Sequence, residues 1–324
     1  MSGVTRSARI LSAISVCLLV SLVSELSYAD EAVKLSDVWN PGPNGVIIQL
    51  PRAAKLIVDP AKDGKPYVLK GKRLVIRAAS IELASAVTIT SWNDADVPAK
   101  RKSFDTAAPP GPNGADCDRA CIGGAGERGK PGSDGATGDS GFNAGSIVLN
   151  VGAINGLGSL VIDGRGGKGG AGQDGQQGGK GGRSGRGGDA DTDKVGICKK
   201  SGGDAGPAGS GGEGGKGGRG GSGGAGASFR ISKSMDDMSS KVADADAVPM
   251  PIPGKLILIY AGGLGGMPGS GGPGGDGGDP NDGGSGKGTC TGGHGARKGP
   301  TPPKQTQNFG SGPIGPQGKV VISN

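Results

Sequence analysis

Residues 202–226 read GGDAGPAGSGGEGGKGGRGGSGGAG, with a glycine at every third position from Gly203 and a second glycine phase in most triplets. A three-residue period is the turn of a polyproline-II-type helix, which rises about 3.1 Å per residue and makes no internal hydrogen bonds. Each backbone N–H and C=O must therefore find a partner outside its own helix. Because Gly-Gly-X leaves two bare faces per turn, this stretch predicts a bundle of polyglycine-II helices that expose the X side chains.

Three-residue glycine periodicity also marks other parts of the chain, and we expect polyglycine-II arms over 123–141, 164–226 and 262–288. The longest of these arms divides around a polar stretch, 189–200, as in an excursion out and back. Straight arms of 25 residues would reach about 75 Å. A fold-back near 173–175 would shorten them.

Short β-branched runs separated by turn residues predict strands between the arms. They are Val46 to Leu50, Lys55 to Val58, Tyr67 to Leu69, Arg73 to Arg77, Ala86 to Trp92, Phe229 to Ile231 and Lys319 to Ser323. Residues 74–90 (LVIRAASIELASAVTIT) align without a gap on 147–163 (IVLNVGAINGLGSLVID), each as a strand, a link and a second strand. A third copy is expected to start at Leu256.

Such units bury their faces by stacking on one another. We therefore predict an all-β fold of parallel β-solenoid-like strands with long polyglycine-II insertions and little or no α-helix. A small barrel or sandwich is the alternative, and the polar stretch 232–246 is the best candidate for a helix. The expected domains are an N-terminal β region, 30–107, and a region of interleaved strands and glycine arms, 108–324.

The N-terminus has the pattern of an export signal. Arg6 and Arg9 precede an apolar run from Ile10 to Ser24, and Ser27-Tyr28-Ala29 forms a small-x-small cleavage site. We expect residues 1–29 to be a signal peptide, and the mature chain to be periplasmic, surface-bound or extracellular, with no transmembrane segment after cleavage.

Four cysteines remain after that cleavage: Cys117, Cys121, Cys198 and Cys290. An even number in an oxidising compartment favours two disulfides, with three connectivities open. We expect them to staple the ends of the arms. A zinc site is the alternative, but no second close pair matches Cys117 and Cys121.

The alternation of strands and Gly-Gly-X arms over residues 74–90, 147–163 and 202–226 resembles that of bacterial exported glycine-rich proteins called collagen-like. The arms are also similar to the polyglycine-II bundles of phage tail adhesins and of Obg glycine-rich domains. These resemblances imply a packed bundle and, for the adhesins, binding at exposed loops.

The composition offers little for catalysis or a cofactor. Glycine accounts for 73 of 324 residues, aromatic residues for 3%, and His294 is the single histidine. A phosphate-loop-like stretch at 284–289 lacks the glycine and hydroxyl positions that it needs. We expect no enzyme, no cofactor and no metal, and no nucleic-acid partner, because aromatic interleaving is absent.

The leading hypothesis is a structural or adhesive envelope protein, a rigid glycine-rich scaffold that presents tip loops at 115–121, 189–200 and 289–304. Its partner would be an envelope component or an anionic cell-surface glycan. The formal charge of +7 supports an alternative, a binding module for anionic glycans or lipopolysaccharide. Its candidate anion-binding residues are Arg165, Lys168, Lys180, Arg183 and Arg186. A collagen-type fibrous trimer is a further alternative, although Gly-Gly-X favours a monomer.

Overall fold

The computed structural model describes residues 32–50, 54–232 and 255–323. The predicted signal peptide lies outside these ranges, as does the predicted polar helix apart from Ser232, which ends a strand. Regular structure in the described chain is almost entirely β, with a single four-residue α-helix, α1 (Leu35–Val38). The two larger sheets are parallel, so an all-β fold with parallel sheets and almost no helix is confirmed.

The strands, in chain order, are β1 (Ala32–Lys34), β2 (Val46–Gln49), β3 (Lys55–Val58), β4 (Tyr67–Val68), β5 (Leu74–Leu83), β6 (Ala86–Thr90), β7 (Ser146–Gly156), β8 (Ser159–Asp163), β9 (Asp191–Thr192), β10 (Cys198–Lys200), β11 (Ser228–Ser232), β12 (Lys255–Ile259) and β13 (Lys319–Ser323). Long glycine-rich stretches separate β6 from β7, β8 from β9, β10 from β11 and β12 from β13.

Two parallel sheets carry the repeat. The first has the order β1-β3-β5-β7-β11-β13, with β2 also beside β5, and the second has the order β12-β8-β6-β4. Leu74 pairs with Ile147 in the first sheet, and Val87 pairs with Leu160 in the second. This is the gapless register that the internal repeat predicts, so the strand pairs of the two copies stack directly on each other.

Two details of the predicted repeat are wrong. The expected link after Arg77 is not a break, because β5 continues to Leu83: its first half pairs with β2 and its second half with β3. The third copy also begins earlier than Leu256. Phe229 pairs with Ile147 and Leu256 with Leu160, so β11 is the first strand of this copy and β12 is the second.

The apolar core lies between the two sheets. Inward-facing side chains at alternate strand positions, including Ile76, Ile147, Leu160 and Phe229, form one buried cluster. Alternation follows from the two-residue period of a strand. No helix within 32–50, 54–232 or 255–323 is long and apolar enough to cross a membrane.

Candidate functional site

Six glycine-rich segments extend the two sheets to a common far end. We number them in chain order: 108–120, 121–145, 164–190, 202–227, 261–285 and 291–318. The third segment leaves directly from β8 and the fifth leaves close after β12, both in the second sheet. The second, fourth and sixth lead into β7, β11 and β13 of the first sheet. The segments therefore form one outgoing layer and one returning layer, with loops at the far end that we call the tips.

Backbone hydrogen bonds join the segments at every third residue. Between the layers they run antiparallel, as in Gly212 N–H to the Gly179 carbonyl at 2.8 Å, with the same pattern at Gly215 and Gln176. Within a layer they run parallel, as in Gly178 N–H to the Pro273 carbonyl at 3.0 Å. The bonds continue through 173–175, so the third segment does not fold back there.

The glycine phases match the neighbours that each segment has. In the fourth segment, a Cβ at Gly212 would collide with the carbonyl of Lys130 in the second segment. A Cβ at Gly214 would collide with that of Gly272 in the fifth. In the third segment, Gln173 and Gln176 stand at a triplet position that is glycine closer to the tip, at Gly179, Gly182 and Gly185. The first segment packs on this phase only from residue 108, where it first bonds to the third.

Asp and Asn side chains at X positions bond the outward N–H groups of the next parallel segment, a role that the sequence analysis missed. Each carboxylate or amide oxygen accepts from the backbone of a neighbour that runs in the same direction. The acceptor and donor pairs are Asn113 and Arg183, Asp116 and Arg186, Asp134 and Lys216, Asn143 and Ala225, Asp174 and Ser270, Asp189 and Ser285, and Asp204 and His294. The repeated occurrence of Asp and Asn at X positions is the sequence signal that could have predicted this role.

Both predicted disulfides lie at the tips. Cys198 bonds to Cys290, which links the tip after the third segment to the tip after the fifth, at a sequence separation of 92. Cys117 bonds to Cys121 within the tip between the first and second segments. This pairing decides among the three connectivities and uses the thiols that a zinc site would need.

The tip between the third and fourth segments, which we call the middle tip, carries exposed apolar side chains on a hairpin. β9 and β10 pair antiparallel, and the Asp193 carboxylate accepts from the backbone N–H groups of Val195 and Ile197 at 3.0 and 2.8 Å. The side chains of Val195 and Ile197 are 79% and 60% exposed. Exposed lysines follow them at Lys199 and Lys200.

The five candidate anion-binding residues separate into two groups along the third segment. Arg165 and Lys168 lie where the segment leaves β8, whereas Lys180, Arg183 and Arg186 lie toward the tip. Four of the five form ion pairs with carboxylates of the same chain. The pairs are Arg165 with Asp163, Lys180 with Asp279, Arg183 with Asp116 and Arg186 with Asp189. Within the described ranges, only Lys168 of the five makes no ion pair.

The ionised forms of several of these groups are stabilised by hydrogen bonds. The Asp163 carboxylate raises the pKa of Arg165. The Ser285 backbone N–H lowers the pKa of Asp189, and the Lys180 ammonium lowers that of Asp279. An anion that binds near the tip would therefore compete with carboxylates that already neutralise the cations.

A cleft of about 410 Å³ lies at the base of the outgoing layer, where the strands pass into glycine. Its walls come from the residues that follow β6, from the start of the third segment and from the start of the fifth. The side chains that line it include those of Trp92, Asp94, Arg165, Lys168 and Leu264. The structure thus brings two of the predicted cations, Arg165 and Lys168, together with the ring of Trp92.

Metal-ligating residues do not converge in the described part of the chain, where no group of three or more His, Cys, Asp or Glu could hold an ion. The backbone N–H of His294 bonds to Asp204.

Comparison with known proteins identifies no family. No protein family matches the chain, and no curated protein matches it. A solved structure, the nine polyproline type II helical bundle antifreeze protein of the springtail Granisotoma rainieri, is 28% identical over 34% of this chain and 89% of its own. The TM-score of 0.09 is too low for this likeness to carry an argument about fold or function.

Proposed function

We propose that this chain is a non-enzymatic, exported structural or adhesive protein of the cell envelope. Its strands act as turns of a β-solenoid, and its glycine segments act as polyglycine-II arms that hold the tips away from the strands. The two disulfides support a location outside the cytoplasm, because such bonds persist mainly in oxidising compartments. Export by the N-terminal signal is part of the same proposal.

Regular hydrogen bonding along the arms is the observation that carries this proposal. Successive donors such as Gly206, Gly209, Gly212 and Gly215 each meet a carbonyl of the third segment at 2.8–3.0 Å. A helix without internal hydrogen bonds becomes stiff only when its neighbours satisfy it. The Cys198–Cys290 bond adds a covalent link at the far end. Both features favour a spacer that keeps its tips in fixed positions.

The middle tip is the proposed contact surface. Val195 and Ile197 point into solvent on a hairpin whose turn is held by Asp193. Apolar side chains presented on a constrained loop bind with less loss of conformational freedom than those on a mobile one. Lys199 and Lys200 beside them suit a partner with negative charge.

A monomer fits this role better than a collagen-type trimer. The inward N–H groups of the arms, such as those of Gly178 and Gly212, already bond to carbonyls of neighbouring arms and need no second chain. At the edge of the bundle, the sixth segment carries prolines, including Pro300, Pro313 and Pro316, which cannot donate to a further chain. The prolines therefore close the bundle rather than extend it.

The alternative of a module for anionic glycans ranks second. Four of its five candidate cations already have carboxylate partners. No single observation favours it over the scaffold.

Binding of the labelled, disulfide-bonded chain to isolated cell envelopes tests the proposed function. We expect the double substitution Val195→Asp and Ile197→Asp to weaken binding about tenfold or more, as removal of central apolar contacts does. Leu157→Asp is the matched control, since Leu157 is 92% exposed at the strand end of the molecule. Equal binding by the parent and the double variant, or an equal loss in the control, would reject the tip as the contact surface.

A further inference from the structure

We propose that the cleft at the base of the outgoing layer binds a neutral saccharide. The cleft measures about 410 Å³, which is within the usual range for small-ligand sites. The cleft is distant from the tips. Lys168 lines the cleft, and Lys180, which lies toward the tip, is already twelve residues farther along the same extended segment. The proposal is therefore independent of the contact surface proposed above.

The aromatic wall of the cleft is held in place. Trp92 stacks on Phe142, with ring centroids 4.9 Å apart and an interplanar angle of 29°. The indole N–H donates to the Asn143 carbonyl at 3.2 Å. Gly71 lies against the ring of Trp92 at a position where a Cβ would not fit. Because the ring is fixed from several sides, a ligand that packs against it need not order it first.

The polar groups of the cleft have spare hydrogen-bonding capacity, and the Asp163 carboxylate holds Arg165 in place. Arg165 binds both oxygens of Asp163 through Nε and Nη2, so its Nη1 remains available as a donor. Lys168 makes no ion pair or hydrogen bond within the described ranges, and its ammonium offers three donors. The exposed side chains of Asn93 and Asp94 add acceptors. Donors and acceptors around an aromatic ring suit a ligand rich in hydroxyl groups.

Charge balance favours a neutral ligand. Two cations, Arg165 and Lys168, face two carboxylates, Asp94 and Asp163, in the same lining. An anion would meet as much repulsion as attraction there, whereas a hydroxyl group can both donate and accept. Gly166, Gly167, Gly262 and Gly263 also line the cleft, so part of its wall is backbone.

Tryptophan fluorescence provides the test. The chain has two tryptophans, so a Trp39→Phe background leaves Trp92 as the reporter. The full disulfide-bonded chain is titrated with cellobiose, maltose and diacetylchitobiose as neutral probes, and with a sulfated heparin disaccharide as the anionic probe. We expect saturable binding of at least one neutral probe, with a dissociation constant of about 1 mM or lower. Affinity should stay unchanged when NaCl is raised to about 0.5 M.

Two matched variants locate the site. Lys168→Gln should weaken binding about tenfold, since it removes a charged donor. Lys180→Gln, on the same segment but away from the cleft, should leave it unchanged. The tip variant Val195→Asp with Ile197→Asp should also bind the saccharide normally, which separates this proposal from the proposed function.

Three results would each overturn the proposal. One is the absence of a saturable response to all three neutral probes in a chain whose circular dichroism is that of the parent. Another is equal affinity for Lys168→Gln and Lys180→Gln. The third is binding of the anionic probe alone with an affinity that falls as salt rises, which would instead support the anionic-glycan module.

Discussion

The strand region and the glycine segments solve the same packing problem in opposite ways. Between the sheets, side chains such as Ile76 and Leu160 fill the interior and are fully buried. Between the segments, backbone meets backbone, and a single methyl group at Gly212 would collide with a carbonyl. The first region is stabilised by removal of apolar surface from water. The second depends on close contact and hydrogen bonds, and glycine loses much conformational freedom when it is ordered.

This difference predicts which atoms each region can lose or gain. A core of side chains tolerates additions poorly but is harmed most by deletions, which leave cavities. The close contacts between bare backbones contain no side chain to delete and are harmed by additions. A deletion should therefore be the more harmful change between the sheets, and an addition should be the more harmful change between the segments.

The largest effect is expected for a deletion in the strand core. Leu160→Ala removes a fully buried side chain that faces Val87 and Leu256 across two parallel pairings. Thermal or denaturant unfolding should show a loss of about 4 kcal/mol. The control, Ile47→Ala on β2, alters a side chain that is 60% exposed and should cost less than about 1 kcal/mol. Similar losses for the two variants would mean that the sheets do not share a packed core.

An addition in the glycine bundle should have the next largest effect. Gly212→Ala places a methyl group against the Lys130 carbonyl, and the backbones must separate to admit it. We expect a loss of about 2 kcal/mol in the free energy of unfolding. Ser210→Ala, two residues away at an outward X position, should change it by less than about 0.5 kcal/mol. If Gly212→Ala is neutral or stabilising, the segments are not packed backbone to backbone.

Removal of a side-chain bond between parallel segments should have a smaller effect. Asp134 accepts a hydrogen bond from the Lys216 N–H at 2.7 Å. Asp134→Ala should cost about 1 kcal/mol, the usual net value of such a bond. Thr137→Ala, one triplet later on the same segment, is the control because Thr137 is exposed and makes no side-chain hydrogen bond in the described chain. Equal stability of the two variants would show that the Asx bonds contribute nothing.

The smallest effect is a dependence on pH at Asp174. A hydrogen bond from Lys100, with help from the Ser270 N–H, lowers the pKa of this carboxyl in the folded chain. Its stabilisation is therefore present above the unfolded pKa of about 3.9 and is lost as pH falls through the lower folded value. The advantage of the parent over Asp174→Asn, below about 1 kcal/mol at neutral pH, should shrink under acid.

Asp276→Asn is the comparison for that titration, because the Asp276 carboxylate makes no ion pair in the described part of the chain. At neutral pH its unfolding midpoint should match that of the parent, because no contact of this kind is lost. An advantage over Asp174→Asn that grows as pH falls would contradict the sign of the predicted shift.

The repeat made much of the strand region predictable from sequence. Register follows from it because Leu74 and Ile147 occupy equivalent places in identical patterns, and parallel stacking aligns equivalent places. The start of the third copy was not predictable in this way. Its first strand is the short run around Phe229, which is not followed closely in sequence by a second apolar run.

The base cleft and the Asx bonds were beyond the sequence analysis because both depend on which segments are neighbours. The X position of Asp134 in its triplet marks it as a candidate acceptor, but its partner Lys216 is 82 residues away and cannot be identified from sequence. Trp92 and Lys168 likewise come together only because β6 and β8 lie side by side. Gln173 and Gln176 donate their side-chain amides to the carbonyls of Lys102 and Thr106, which also come close only in the folded chain.

Amide hydrogen exchange of the disulfide-bonded chain, resolved by residue, tests most directly whether backbone packing within a single chain orders the glycine segments. We expect the amides of Gly209, Gly212 and Gly215 to be protected to an extent similar to those of β7, at every protein concentration. The neighbouring outward amide of Ser210 should exchange faster. Exchange of all glycine amides at the rate of an unfolded chain, or protection that appears only as the concentration rises, would contradict intramolecular packing.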